Sequence, residues 1–244
     1  MDRLLLQVED ISTSHGKFKI SSVSFRLKNG DIFGLVGRSG SGKSTLLKTI
    51  IGLKFPDYGK ISVYLNNNQV ELGELIGYSP QDNSLYPFLT IEENIRTFGS
   101  LYKIEKGIIE ERANVLLRRL DLEKNRRKKI TELSGGMQKR ADLAVTLIHA
   151  PKILVLDEPF SGLDVSLQSF IWKFLKELSL QGRIIIISSH ILSDIQKNCN
   201  EFGLIEKGAF FNTSQIAQTL RNSREKSLEF FLERLFTKDL MQEE

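Results

Sequence analysis

The chain alternates between short apolar runs and longer segments whose apolar residues recur with helical spacing. Short runs, each the length of a buried strand, occur at 32–36, 153–156 and 184–188. Helical spacing follows over 43–53 and is clearest again over 165–180. Alternating strands and helices predict an α/β fold with a mainly parallel sheet that is covered by helices on both faces.

Further strand-like patterns extend this core towards both ends of the chain. They are expected at 4–8, 18–27, 60–65, 76–78 and 202–206. The residues from 1 to about 213 are therefore predicted to form one large domain. The apolar residues Leu228, Phe231, Leu232 and Leu235 recur with helical spacing near the end of the chain, so 214–244 is predicted as a helical extension.

A long helical block interrupts the alternation at about 82–150. Thr90 and Glu93 have the spacing of a capping box for its first helix, and two more helices are expected at 110–120 and 136–150. This block is predicted to form a helical subdomain on the edge of the sheet.

Composition and charge exclude some classes of protein but do not indicate a function. Of the 244 residues, 41% are hydrophobic and 26% are charged, as in an ordinary globular protein. The net charge of +4 permits an anionic ligand but does not argue for nucleic acid. No apolar run approaches the roughly 20 residues that cross a bilayer, so any membrane association is expected to depend on a partner. Cys199 is the single cysteine, which excludes an internal disulfide and favours a reducing compartment.

A glycine-rich loop joins the strand at 32–36 to the helix at 43–53. It fits the pattern G-x-x-x-x-G-K-S/T in full and consists of Gly37, Arg38, Ser39, Gly40, Ser41, Gly42, Lys43, Ser44 and Thr45. The glycines let backbone N–H groups wrap around phosphate oxygens, and the helix adds its positive amino end. Lys43 would neutralise charge on the outer phosphates, and the Ser44 hydroxyl would ligate Mg²⁺. The loop therefore predicts a nucleoside triphosphate site.

Two adjacent acids, Asp157 and Glu158, follow the apolar run at 153–156. Burying charge is costly, so a strand does not end in two acids for the sake of packing. The carboxyl end of a parallel strand would bring them beside the phosphate loop. There Asp157 is suited to Mg²⁺ coordination and Glu158 to polarising the attacking water.

Taken with these motifs, the segment Leu133-Ser134-Gly135-Gly136-Met137 resembles the LSGGQ signature of the ATPase subunits of ABC transporters, with Met137 where Gln is usual. The resemblance runs from about Leu4 to about Thr213. It implies a P-loop NTPase core with an antiparallel β subdomain near the amino terminus and a helical subdomain. It also implies ATP and Mg²⁺ as cofactors. Ser134, Gly135 and Gly136 would close over ATP held by the phosphate loop of a second subunit.

Three further motifs of that family occur in the expected order. Gln81 stands where the family has a glutamine that touches Mg²⁺ and water, in a loop that borders the membrane partner. Asp164, in the segment that begins at Ser161, matches a loop that crosses to the opposite subunit; it could also be only a helix cap. His190 matches the switch histidine that contacts the γ-phosphate.

The sequence departs from the family at the position that usually stacks on adenine. The family commonly has an aromatic residue before a glycine there, and this chain has His15 followed by Gly16. His15 is predicted to stack on the base, with Phe18 as the alternative. Phe160 stands where Thr is common and is expected to change packing only.

The resemblance favours an ATP-hydrolysing motor subunit that dimerises with ATP and drives transmembrane permease subunits from the cytoplasmic face of the cell membrane. The stretch 90–102 and the residues around His190 look like those of exporters for drugs and polysaccharides. The alternative is a soluble ABC ATPase outside transport. Only 53 positions separate Gln81 from Ser134 (134 − 81), too few for the coiled coils of chromosome and repair proteins. Translation factors carry two ATPase domains, whereas one is expected here, so iron–sulfur assembly is the alternative that is least excluded.

Overall fold

The computed structural model describes residues 2–16 and 18–222. Ten strands form one mixed sheet in the order β5-β4-β1-β2-β10-β9-β3-β8-β7-β6. The strands are β1 Leu4–His15, β2 Phe18–Lys28, β3 Ile32–Val36, β4 Tyr58–Leu65, β5 Asn68–Val70, β6 Ile76–Ser79, β7 Ile153–Leu156, β8 Ile184–Ser189, β9 Glu201–Glu206 and β10 Ala209–Asn212.

The sheet has a parallel half and an antiparallel half. Strand β3 pairs in parallel with β8 and β9, and β7 pairs in parallel with β6 and β8. Strands β1, β2, β4 and β5 pair only antiparallel with one another, and β10 is antiparallel to β9. A single parallel bridge between Ala209 and Ser21 joins the halves. The predicted α/β class with an antiparallel β region near the amino terminus is confirmed.

Seven α-helices accompany the sheet within the described residues. They are α1 Lys43–Ile50, α2 Ile91–Leu101, α3 Lys106–Arg119, α4 Gly135–Leu147, α5 Val165–Leu180, α6 Leu192–Asn198 and α7 Thr213–Asn222. Helix α2 begins with the predicted capping box: Thr90 Oγ1 accepts from the Glu93 N–H, and the Glu93 carboxylate accepts from the Thr90 N–H. The predicted helical stripe at 228–235 lies outside the described residues.

The central strands separate two hydrophobic clusters. Along β8, Ile184 and Ile186 face the cluster that contains α1, whereas Ile185 and Ile187 face the cluster that contains α4 and α5. All four isoleucines are fully buried. A strand covered on both faces needs apolar residues at every position, which explains the unbroken isoleucine run.

The close packing of α6 on β3 involves Gly34. A Cβ atom at Gly34 would lie 2.1 Å from the Ile195 side chain and 3.2 Å from Cys199 Sγ.

Burial raises the pKa of the Cys199 thiol to about 12. Since the thiolate is the reactive form, Cys199 is expected to be chemically inert in the native fold.

Several element boundaries differ from the prediction for local reasons. The helix predicted over 43–53 ends at Ile50, because Gly52 adopts a left-handed φ of 80°. The strand predicted over 4–8 continues to His15 through an irregular register near Asp10, whose φ is 48°.

Candidate nucleotide site

A cleft of about 800 Å³ opens near the carboxyl ends of β3 and β7. Its volume is within the range of ligand pockets, and the carboxyl ends of parallel strands are the usual place for them. His15 lines it together with most residues of the phosphate loop and of the glutamine, acidic and histidine motifs, which are Gly37, Arg38, Ser39, Gly40, Gly42, Lys43, Ser44, Thr45, Gln81, Glu158 and His190. Ser41 and Asp157 are buried and are absent from that lining.

The phosphate loop has the backbone form that close contact with phosphate requires. Gly40 and Gly42 have φ values of 79° and 95°, a region that favours glycine. Gly42 caps the amino end of α1, whose first turn contains no acidic residue. Ser41 Oγ is buried and has no hydrogen-bond partner among the described residues. An orphaned hydroxyl beside a positive helix end fits an anionic ligand such as a phosphate.

Lys43 connects the phosphate loop to the acidic pair. Its Nζ donates to the carbonyl oxygens of Gly37 and Arg38 at 2.9 and 3.1 Å, and it lies 3.0 Å from Glu158 Oε1. The side chain is only 6% exposed. The ammonium group is thus held over the loop, where the outer phosphates of a nucleotide would be.

Glu158 joins three motifs at one carboxylate. Oε1 pairs with Lys43, while Oε2 lies 3.0 Å from His190 Nδ1. Glu158 has a left-handed φ of 48°, which is strained for a residue with a side chain. The acid, the lysine and the histidine predicted from separate motifs therefore meet in the cleft.

Ser188 is a site residue that sequence reasoning missed. Its Oγ donates to Asp157 Oδ1 at 2.5 Å and accepts from the Glu158 N–H at 2.8 Å. The signal in the sequence was a hydroxyl residue that directly follows four isoleucines, at the end of the strand beside the one that carries the acids.

Gln81 lies in the loop after β6, and helix α4 holds this loop from one side. Lys139 Nζ donates to the Gln81 carbonyl at 2.6 Å. The Asp142 carboxylate accepts from Ser79 Oγ and from the N–H and hydroxyl of Ser84, the latter two at 3.0 and 3.1 Å. The glutamine loop is therefore fastened before, at and after Gln81 by the helix that begins with the signature residues.

Asp142 should make stability depend on pH. The carboxyl is fully buried, and this burial raises its pKa above the ordinary value of 3.8 even though the two serines act in the opposite direction. A raised folded-state pKa means that stability is greatest below the unfolded value and is lost as the pH rises through the folded value. The Asp142→Asn side chain is neutral at every pH, so this variant should not lose stability in this way. Chemical unfolding at several pH values should show that the free energy of unfolding of the variant rises relative to that of the wild type as the pH increases.

The control for this comparison is Asp57→Asn, since Asp57 is exposed. It measures what the change from Asp to Asn does to stability at an exposed position. An Asp142→Asn variant whose difference from wild type did not change with pH would contradict the burial argument.

The signature residues lie apart from the cleft. Ser134 caps α4, with its Oγ accepting from the Met137 N–H at 3.4 Å. A second cavity of about 500 Å³ includes Ser134, Gly136 and Asp164 in its lining. A Cβ atom at Gly136 would lie 2.4 Å from the Leu167 side chain, whereas one at Gly135 would meet nothing within 4 Å. Within one chain, the structure does not bring the signature residues to the phosphate loop cleft.

The segment from Ser161 to Asp164 links the two cavities. Ser161 lines the first and Asp164 the second. Asp164 Oδ1 accepts from the Leu167 N–H at 2.9 Å, so it caps α5. Asp164 does not line the cleft of its own chain, and any contact with nucleotide would require a second subunit.

His15 and Phe18 both line the cleft, but their surroundings differ. The Phe18 ring is partly buried in the cluster that contains α1, and its Cε1 lies 2.5 Å from where a Cβ of Gly42 would be. The ring thus covers the phosphate loop backbone. His15 is exposed at the end of β1. This difference favours His15 as the residue available to a purine.

We expect His15→Ala to weaken ATP affinity by about fivefold, near the lower end of base–side-chain stacking energies of 1–3 kcal/mol. His15→Tyr should retain or improve the affinity, because a larger ring remains. Equilibrium binding of ATP and of inorganic triphosphate distinguishes stacking from a general defect, since triphosphate has no base. If Phe18→Ala weakened ATP binding while leaving triphosphate binding and folding intact, and His15→Ala did not, Phe18 would be the stacking residue.

The comparisons with known proteins agree with this geometry. The family model described as ABC transporter matches residues 20–161, more than half of the chain. The chain belongs to the ABC transporter family. The sequence-based prediction of that family is therefore confirmed, and the relatives favour the transporter interpretation over iron–sulfur assembly.

Among the relatives of this ABC protein are two bacterial ATP-binding proteins. The linearmycin resistance ATP-binding protein LnrL of Bacillus subtilis is 35% identical over 208 residues, which are 84% of this chain and 67% of that protein. The Nod factor export ATP-binding protein I of Rhizobium etli is 35% identical over 207 residues, 83% of this chain and 66% of that protein. This chain thus spans about two thirds of the length of these two relatives.

Solved structures of ABC ATPases have the same fold. An ATP-binding subunit of an ABC transporter superposes with a TM-score of 0.81 at 28% identity, covering 95% of this chain and 99% of that one. A nucleotide-free ATP-binding cassette from an ABC transporter gives 0.74 at 26% identity, covering 89% and 95%. No helix within residues 2–16 and 18–222 has both the length and the apolar character needed to cross a membrane.

Proposed function

We propose that this ABC protein is an ATP-hydrolysing motor subunit of an exporter. The observation that carries the proposal is the meeting of Lys43, Glu158 and His190 in the cleft at the phosphate loop, while the signature residues lie in a separate cavity. A site of this kind has the groups for phosphoryl transfer to water, but it lacks the signature unless a second subunit supplies it.

Each residue has a role that follows from its position. The phosphate loop and Lys43 bind the triphosphate, and Glu158 polarises the attacking water as a general base. His190, hydrogen-bonded to Glu158, contacts the γ-phosphate and keeps the carboxylate oriented. Ser44, Gln81 and Asp157 would hold Mg²⁺, which neutralises charge on the phosphates.

The second subunit supplies Ser134, Gly135, Gly136 and Asp164 to the same nucleotide. The amino end of a helix such as α4 can bind an anion, but within one chain this end lies away from the phosphate loop cleft. Two chains, or this chain and a related one, would then enclose two ATP molecules and separate after hydrolysis. This cycle is a two-state switch driven by contacts with the γ-phosphate.

Export is supported by the relatives named for linearmycin resistance and Nod factor export. The subunit would act on transmembrane permease subunits from the cytoplasmic face of the membrane. The test is co-isolation from membranes with an integral membrane protein, followed by reconstitution of the pair in vesicles. ATP hydrolysis that the membrane protein does not alter, together with no substrate movement, would contradict the motor role.

Composite sites can be tested by mixing two defective variants. Lys43→Ala removes the phosphate-loop cation, and Gly135→Asp places a negative charge where phosphates of the other subunit are expected. The Gly135 variant should fold, since its Cβ meets nothing within 4 Å. Each variant alone is expected to be inactive. A mixture should regain activity, because mixed dimers contain one site with an intact loop and an intact signature.

A mixture without recovery, at concentrations where the wild type is active, would contradict a composite site between copies of this chain. The matched control mixes Lys43→Ala with Glu158→Gln. Both substitutions damage the same half of the site, so no mixed dimer has a complete site and no recovery is expected.

A further inference from the structure

Ser188 connects the two acids through one hydroxyl group. Its Oγ donates to Asp157 Oδ1 at 2.5 Å and accepts the backbone N–H of Glu158 at 2.8 Å. A serine hydroxyl has one proton to donate and two lone pairs to accept, so it can make both of these bonds at once. Bonds from a hydroxyl to an ionised carboxylate are among the stronger ones in proteins.

The sheet register places Ser188 between the two functional strands. Strand β8 lies between β3, which leads into the phosphate loop, and β7, which leads into the acids. Leu35 on β3 is the register partner of Ser188. On the other side, Leu156 pairs with Ile187, so Asp157 and Ser188 are the next residues in that register. Ser188 is fully buried, which shields its bonds from competing water.

The backbone of Glu158 needs such a partner. Its left-handed φ of 48° is costly for a residue with a side chain and persists only where the surroundings hold it. The bond from the Glu158 N–H to Ser188 Oγ fixes the start of this turn. This backbone conformation directs Glu158 Oε1 towards Lys43 and Glu158 Oε2 towards His190, each at 3.0 Å.

We propose that Ser188 is a positioning residue for the hydrolytic site, which orients the Asp157 carboxylate for Mg²⁺ and holds the Glu158 backbone in its strained turn. This inference rests on the proposed ATPase function. It assigns the hydroxyl two effects, one on the metal ligand and one on the general base. Residues that orient metal ligands typically change metal affinity by about 10–100-fold when they are replaced.

The test compares Ser188→Ala with wild type in three measurements. Mn²⁺ binding to the complex with a non-hydrolysable ATP analogue, followed by electron paramagnetic resonance, should weaken by about tenfold. Affinity for the same analogue in EDTA should stay within about twofold, because no metal is present. The kcat for ATP should fall at least tenfold with little change in KM, since Ser188 does not line the cleft.

Two variants separate positioning from stability. Ser179→Ala removes a buried hydroxyl near the end of α5, which donates at 2.7 Å to the Gly30 carbonyl in the turn between β2 and β3, so it should lose stability without these site effects. Ser188→Thr keeps the hydroxyl and should restore Mn²⁺ affinity and kcat to near wild type.

Normal Mn²⁺ affinity and kcat in Ser188→Ala would overturn the inference. So would a folded Ser188→Thr that is as deficient as Ser188→Ala, or the same defect in Ser179→Ala. If instead the wild type itself bound no nucleotide and hydrolysed no ATP, the proposed function would fail rather than the role of Ser188. The wild-type measurements thus distinguish the two failures.

Discussion

Replacing Glu158 by Gln should lower ATP turnover by about 10²–10⁴-fold while leaving ATP affinity near the wild-type value, because general bases contribute rate enhancements of that size. The amide has the shape of the carboxylate and can still meet Lys43 and His190, which contact Oε1 and Oε2 at 3.0 Å. It cannot accept the proton of the attacking water. Steady-state hydrolysis and equilibrium ATP binding measure the two halves of this expectation.

The same variant should accumulate as a closed dimer with Mg-ATP, because in the proposed cycle hydrolysis is the step that separates the subunits. Size-exclusion chromatography with light scattering should show a dimer with Mg-ATP and a monomer with Mg-ADP. Glu177→Gln is the matched control, because Glu177 pairs with Arg119 through a carboxylate that is 45% exposed. If Glu158→Gln kept normal turnover, the assignment of Glu158 as general base would be wrong.

The parallel core could be predicted because burial on both faces leaves a strong pattern. The runs 153–156 and 184–187 are apolar at every position, and the structure buries each of these residues. Helix α5 was predicted with its observed bounds, since Asp164 caps it and apolar residues recur along one side. Phe160, expected to affect packing only, is buried and stacks on Trp172 with ring centroids 4.5 Å apart.

The elements that sequence reasoning missed depend on distant partners. Strand β5 has three residues, two of them polar, and exists as a pairing partner of β4. Strand β10 is defined by its antiparallel pairing with β9. Neither segment has enough periodicity to identify it, because short strands derive their stability from neighbours rather than from local preference.

In the candidate site, residues that belong to sequence motifs could be predicted, whereas residues outside the motifs could not. The motifs identified Lys43, Glu158 and His190, which the structure brings together in one cleft. Ser188 and Asp142 belong to no motif, and their importance follows from what they touch. Ser188 bonds both acids, and Asp142 fastens the glutamine loop to the signature helix. Such contacts depend on sheet register and helix packing, which a single sequence does not reveal.

Replacing Lys43 by Ala should weaken ATP affinity by at least tenfold. A hydrogen bond to a charged group contributes about 1.5–3 kcal/mol, equal to a factor of roughly 10–150, and the Lys43 ammonium lies where the outer phosphates are expected. The ammonium is 6% exposed, so water cannot easily replace it. Isothermal titration with Mg-ATP measures the loss. The affinity for adenosine, which has no phosphate, should be unchanged.

Arginine is not expected to substitute for Lys43. The loop carbonyls of Gly37 and Arg38 hold a compact ammonium at 2.9 and 3.1 Å, and a planar guanidinium has a different shape and reach. Lys48→Ala is the matched control, because Lys48 is an exposed lysine in the last turn of the same helix. It should bind Mg-ATP as the wild type does. If Lys43→Ala also bound Mg-ATP normally, in a variant whose circular dichroism spectrum is unchanged, the phosphate loop assignment would be refuted, and with it the location of the triphosphate at the amino end of α1.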